Sequence, residues 1–523
     1  MPERPAEPLF SWLKDRSSGV LLHPTALPCD FGVGTLGAEA DRFLEFLASA
    51  GFEYWQMCPL GPTGYGNSPY QCFSAFAGNP YLIDLLPLAQ SGLVPRESVS
   101  PLLVLDSDRV DYGGLWRLKT AALAASYDQF AANPDVKLPY GDFGAFKKAN
   151  ADWLDDFAMF QALKDHFDGR PWWEWPSNCR VHGKALQSPL MKTVADRAEA
   201  HRFFQYLFFG QWCRLKAKAA ELGISIIGDI PIFVAMDSAD VWARPGLFQL
   251  NPETGRPIAV AGVPPDYFSE DGQLWGNPLF DWPAHAKDGY AWWMRRLGAS
   301  FDLYDVVRID HFRGFESYWA IPAGAPNARV GKWEPGPGIA FFERVREEFP
   351  DARIIAEDLG IITPEVSEML EATGLPGMAV LQFAFNGDDP TNPYLPHNQS
   401  KNSVCYTGTH DNATTREWYS TQNEPVQDQV RRYFRISGQD IAWDLVRAAF
   451  ACPARLAVVP LQDLLNIGAE GRFNTPGAPV HNWEWRFRAQ MLEQLHANSA
   501  DYLRSLGRLY GRIPAKDRKP AND

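Results

Sequence analysis

The chain has 523 residues, 46% hydrophobic and 21% charged, a balance that places it among large globular proteins and excludes disordered or fibrous classes. Its 49 basic and 63 acidic residues leave a net charge of −14, which lacks the basic footprint of a nucleic-acid binder and suits a neutral ligand. No run approaches 18 apolar residues, the start MPERPAEPLF lacks a basic region followed by an apolar stretch, and the seven cysteines are scattered without a C-x-x-C pair; the expectation is a cytoplasmic protein with no membrane partner, disulfide framework or zinc site.

The first apolar run is VLLH (20–23), followed by a helical pattern at 38–51 and a second run, YWQMCPL (54–60). A long insertion then carries a helical stretch at 113–132 and the Trp-rich PWWEWPSNCR (171–180). A helix at 197–223, ending on Gly223, leads into ISIIGDIPIFV (224–234). The Pro/Gly-rich stretch 261–282 and a helix at 289–301 precede the fourth run, YDVVRIDHF (304–312). RIIAEDLG (353–360), MAVLQFAF (378–385), SVCYTGTHDN (403–412) and LAVVPLQDLL (456–465) complete the set, with helices at 339–349, 363–374 and 426–438 between them. Thr363 and Pro364 occupy the N-cap and first position of the helix at 363. A further helix at 483–496 and a polar tail follow.

Short continuous apolar runs alternating with helices suit parallel strands buried on both faces, and eight of them predict an α/β fold of (β/α)₈ barrel type. Large insertions are expected between strands two and three and between strands three and four, on the rim where barrel loops carry function. The expected organisation is one catalytic domain over 1–510 with inserted subdomains at about 85–195 and about 235–290, a tail at 511–523, and no C-terminal β-sandwich. The 19 Trp, 18 Tyr and 33 Phe supply a large core, with some left over as flat platforms for sugar rings.

Three acids stand at the C-terminal ends of predicted strands: Asp310, Glu357 and Asp411. That end of a barrel is where active sites lie, and a carboxylate closing a buried strand is costly unless paired or working. Arg308 precedes Asp310 by two residues, so strand alternation puts both on one face, where the guanidinium would keep Asp310 ionised as a nucleophile requires. Asp358 points the other way. His410 and His311 adjoin acids and are candidate hydrogen-bond donors to substrate, and Asp229 closes strand three in the same manner.

Seven segments carry a resemblance: GPTGYGNSPYQCFSAFAGNPYLID (61–84), GDIPIFVAMDSADVWARP (228–245), GVPPDYFSEDGQLWGNPLFDW (262–282), VRIDHFRGFESYW (307–319), IIAEDLG (354–360), GTHDN (408–412) and PGAPVHNWEWR (476–486). In this order they resemble the amylomaltases, or disproportionating enzymes (4-α-glucanotransferases), family 77 of the glycoside hydrolases in the α-amylase clan. The resemblance implies Asp310 as nucleophile, Glu357 as general acid/base and Asp411 as the group that fixes sugar hydroxyls, supported by Arg308 and His410. It implies donor-side sugar contacts at Ser68, Tyr70, Asp229 and Trp275. Asp266, Phe268 and Gln273 would belong to a mobile loop on the acceptor side, and Tyr65 to a second glucan site. Met236 stands where some relatives carry an acid.

Retaining glycosidases hold their two carboxyl groups about 5–5.5 Å apart and pass through a covalent glycosyl-enzyme. A sugar 4-hydroxyl rather than water would complete the reaction on α-1,4-glucans or maltooligosaccharides, with no metal or other cofactor. Three rivals remain at this stage: a hydrolase of the same clan, a noncatalytic glucan binder, and a metal-dependent isomerase, for which ligand clusters are wanting. Whether the chain is a monomer or a homodimer is left open.

Overall fold

A computed structural model describes residues 7–133, 136–265, 269–478 and 480–518. Its strands in chain order are β1 (Ser17–Leu21), β2 (Tyr54–Gln56), β3 (Ser225–Pro231), β4 (Ala259–Val263), β5 (Gln273–Pro278) and β6 (Val306–Asp310). They continue with β7 (Ser317–Pro322), β8 (Lys332–Pro335), β9 (Ile354–Ala356), β10 (Gly377–Val380), β11 (Ser403–Tyr406) and β12 (Leu456–Pro460).

Eight of these form one parallel sheet in the order β10-β11-β12-β1-β2-β3-β6-β9. The ends approach each other at one hydrogen bond, Ala356 N–H to Pro376 O at 2.9 Å, which brings β9 and β10 together and completes a (β/α)₈ barrel. All eight apolar runs of the sequence become these strands. Leu21, Ile227, Val306, Ile355, Val380, Val404, Tyr406 and Val458 form a separate cluster inside the barrel. Their alternate neighbours, such as Val20, Ile226, Val307, Ile354 and Val459, join the larger core between strands and helices. This two-sided burial is why the strands read as continuous apolar runs.

The insertion between β2 and β3 is helical, with Tyr112–Ala132, Phe143–Ala149, Ala151–His166 and the 33-residue helix Leu190–Leu222. Asp111 caps the first, accepting from Gly114 N, and the last stops at Gly223 with φ 76°. Two glutamines of the long helix hold the segment after β2: Gln205 bonds both N–H and C=O of Gly78, and Gln211 those of Asp84, at 2.7–2.9 Å. The Trp-rich stretch is core. Trp172 Nε1 donates to the backbone oxygen of Met236 at 2.8 Å, and the Trp175 ring packs against Phe160 and Trp242.

Three expectations need correction. The segment 235–290 is not self-contained: β4 and β5 join β7 and β8 in a four-stranded antiparallel sheet, order β5-β4-β7-β8, so half of it follows barrel strand β6. Its strands are short and partly exposed, and β4 pairs with β7 across a sequence separation that no local pattern reveals. The helix read at 483–496 begins at Ala489 and runs to Leu509. The tail is not wholly polar surface: Arg512 and Ile513 are buried, and Arg512 donates to the backbone oxygens of Ser17, Phe450, Cys452, Ala454 and Arg455, fastening the end of the chain beneath β1 and β12. After β12 no strand occurs among the described residues. Thr363 takes the N-cap place before Pro364, but its side chain makes no capping bond.

Candidate active site

The site is built from strand ends. β3 and β6 pair with Asp229 directly opposite Arg308. In that register the two side chains share a face, and Arg308 Nη1 donates to Asp229 Oδ2 at 2.6 Å. Two residues along the same face, Asp310 Oδ1 lies 3.0 Å from Arg308 Nη2. Arg308 and Asp229 are buried, whereas the Asp310 side chain keeps 29% of its surface. The guanidinium therefore bridges a carboxylate in the floor and a carboxylate that a ligand can reach.

Asp229 Oδ2 also accepts from Tyr70 Oη at 2.8 Å, and that hydroxyl lies 2.9 Å from His410 Nε2. Tyr70 has one proton and gives it to the carboxylate, so its oxygen accepts from His410, which assigns the Nε2–H tautomer. Burial, reinforced by Arg308, lowers the His410 pKa and keeps the ring neutral, against the opposing pull of Asp411. The two rings stack at 5.2 Å. Asp411 Oδ1 stands 3.4 Å from His410 Nε2 and accepts from Asn474 Nδ2 at 2.5 Å.

Glu357 follows β9. Its Oε2 accepts from His311 N at 2.7 Å and its Oε1 from Leu359 N at 2.9 Å, which fixes the carboxyl plane and leaves a lone pair on each oxygen. His311 turns its amide this way by adopting φ +56° directly after β6. Burial pushes the Glu357 carboxyl up, and Arg308 and the two amides oppose it. Burial likewise raises Asp310, helped by Asp229, Glu357 and Asp411 and opposed first by Arg308. Asp229, Asp310 and Glu357 thus all act on one guanidinium, which opposes the effect of burial on Asp310 and Glu357. Arg308 touches Asp310 and Asp229 but acts on Glu357 only through space.

The remaining candidates divide. Ser68 Oγ accepts from Tyr70 N at 3.2 Å, beside the stacked pair. Trp275 meets the His311 ring edge-on at 4.9 Å and donates from Nε1 to Gln273 Oε1 at 3.1 Å, which brings β5 to the site. His311 is buried, its Nε2 has no protein partner, and burial pushes its pKa down to about 3. Asp358 turns away, accepting from Met378 N at 2.7 Å, and burial raises its pKa to about 7. Met236 is buried. Asp266, Phe268 and the Tyr65 side chain lie outside the described residues. No group of three or more His, Cys, Asp or Glu side chains among the described residues is arranged to hold a metal ion.

One residue escaped sequence reasoning. Asp463, buried just after β12, accepts from Thr407 Oγ1 at 2.6 Å, Thr415 N at 2.9 Å and Thr415 Oγ1 at 2.7 Å. It clasps both ends of the loop that carries His410 and Asp411. A lone acid inside the apolar run LAVVPLQDLL was the available signal.

The fold and this cluster of carboxylates at strand ends define a (β/α)₈ barrel with a carboxylate-lined site at the C-terminal ends of its strands. The chain belongs to the 4-alpha-glucanotransferase family, whose profile matches residues 22–492. It is 49% identical to a 4-alpha-glucanotransferase of Thermus thermophilus over 92% of this chain and 96% of that one. A 4-alpha-glucanotransferase of Synechocystis is 45% identical over 96% of this chain and 99% of its own. The solved amylomaltase of Streptococcus agalactiae in complex with acarbose superposes with a TM-score of 0.89 at 36% identity, covering 95% of this chain and all of that one.

Proposed function

We propose that the chain is a 4-α-glucanotransferase that moves α-1,4-glucan segments onto a sugar 4-hydroxyl by retaining double displacement. The observation that carries this reading is Arg308 held between Asp229 and Asp310, with Glu357 fixed at the end of the adjoining strand.

In the first step the Glu357 carboxyl gives its proton to the glycosidic oxygen while an Asp310 carboxylate oxygen attacks the anomeric carbon. The C1–oxygen bond breaks, the reducing-end fragment departs, and the non-reducing segment remains as an ester on Asp310. An acceptor 4-hydroxyl then attacks C1, its proton passes to the Glu357 carboxylate, and the ester bond breaks. Arg308 holds Asp310 ionised. Asp229 positions Arg308 and Tyr70, and Tyr70 positions His410. Asp411, exposed and anchored by Asn474, bonds sugar hydroxyls as the ring flattens. Ser68 and Trp275 line the donor side, Gln273, Asp266 and Phe268 the acceptor side, and Tyr65 a remote glucan site. The scheme uses no cofactor. A cytoplasmic setting is supported by seven cysteines that all carry free thiols.

Incubation with maltotriose and separation of products tests the reading. Longer and shorter oligomers with reducing ends conserved are the expected result. Glucose and maltose accompanied by a rise in reducing ends would make it a hydrolase, and unchanged maltotriose would make it a binder.

A further inference from the structure

The chain after Glu357 runs outward along the rim. Leu359 N bonds Glu357 Oε1, and two residues later Ile361 and Ile362 are 44% and 37% exposed. The Arg313 guanidinium, itself 4% exposed, donates through Nη1 to the Ile361 oxygen and lies 3.8 Å over the ring of Trp333 on β8. Trp333 is 39% exposed, and Trp319 of β7 braces it at 5.2 Å in an edge-on contact. Because Arg313 is buried, it lies on the protein side of the indole, and the exposed surface belongs to the outward side.

We propose that Trp333, Ile361 and Ile362 form a binding platform for the glucan chain on the leaving-group and acceptor side of the catalytic centre. The proposal rests on the 4-α-glucanotransferase reading for its choice of ligand. A proton donor stands on the departing side of the bond it cleaves, so the segment that continues from Glu357 borders the departing chain, and the acceptor enters by the same side. Glucan is neutral, with apolar C–H faces between hydroxyl edges. An indole and two aliphatic side chains in one patch match those faces without fixing register, which suits chains of varied length. The Trp333 ring and the segment carrying Ile361 and Ile362 meet at one guanidinium, that of Arg313, which places the three exposed apolar side chains on the same stretch of rim. Trp333 is already held by Arg313 and Trp319, so it loses little entropy when a sugar seats on it.

The test compares kcat/KM for maltoheptaose and maltotriose. Trp333→Ala is expected to lower the ratio of long to short substrate at least fivefold, mainly through KM, with Trp333→Phe recovering most of it. A double change of Ile361→Ser and Ile362→Ser, at exposed positions, is expected to lower the ratio in the same sense and carries the test if Trp333→Ala fails to fold. An unchanged ratio, or an equal fall in kcat for both lengths, overturns the platform. Calorimetric titration of maltoheptaose into Glu357→Gln protein, with and without Trp333→Ala, separates this proposal from the activity reading. Wild-type protein that leaves maltotriose unchanged sinks the activity alone, and at least fivefold weaker binding in the Trp333 variant still supports the platform. Equal binding in both sinks the platform.

Discussion

Arg308 and Asp229, 79 positions apart in the chain, form a 2.6 Å ion pair in the barrel interior because β3 and β6 place them in the same register. Removing one member of a buried pair leaves the other charge uncompensated, at a typical cost of about 3–5 kcal/mol. Arg308→Met should therefore lower unfolding stability in denaturant by roughly that amount, as well as abolish turnover. Adding Asp229→Asn should recover part of the stability and none of the activity. Full stability in Arg308→Met would show that Asp229 finds another partner.

Asp310→Asn removes the nucleophilic charge with almost no change of shape. Turnover of maltotriose should fall about 10⁴-fold or more, on the order of 5.5 kcal/mol, with an unchanged melting temperature. A variant that keeps a tenth of the wild-type rate would move the nucleophile elsewhere.

Asp463 acts through the loop it clasps rather than on substrate. Asp463→Ala strands two threonine hydroxyls and the Thr415 amide in the core, and it frees the segment bearing His410 and Asp411. A misplacement of about 1 Å costs catalysis on the order of 10²-fold, so kcat should fall by about that factor while KM for maltotriose stays within a few-fold. A loss of stability with kcat intact would make Asp463 purely architectural.

His23 is buried and its pKa is pushed down to about 3 by burial and then by His410. The folded state keeps it neutral while the unfolded chain protonates near pH 6.5, so stability is full above that pH and is lost as pH falls toward 3. Between pH 6.5 and 4 the loss from this group is about 3 kcal/mol. Denaturant unfolding of His23→Leu should show a shallower acid slope over that window than wild type. Parallel slopes would mean that His23 finds a proton acceptor in the folded state.

Phe268, which follows Pro264 and Pro265 in the sequence, is proposed to shield the glycosyl-enzyme from water and seat the incoming sugar. Phe268→Ala should raise the rate at which new reducing ends appear relative to transfer. An unchanged ratio would place acceptor selectivity elsewhere.

The barrel was legible in the chain because parallel strands buried on both faces must be apolar throughout, and a carboxylate closing such a run stands out. Arg308 and Asp310 could be put on one face from spacing alone, since alternation along a strand is local. The antiparallel sheet was hidden because β4, β5, β7 and β8 are short and partly exposed, and Gly262 meets Trp319 only across an intervening barrel strand. The clasp of Asp463 on Thr407 and Thr415, the burial of Arg512 beneath β1, and the pairing of Asp229 with Arg308 likewise needed the folded chain. The sequence by itself determined which residues could be catalytic, through local composition and period. Which carboxylates the Arg308 guanidinium touches depends on how β3, β6 and β9 align side by side, a non-local relation that only the tertiary structure decides.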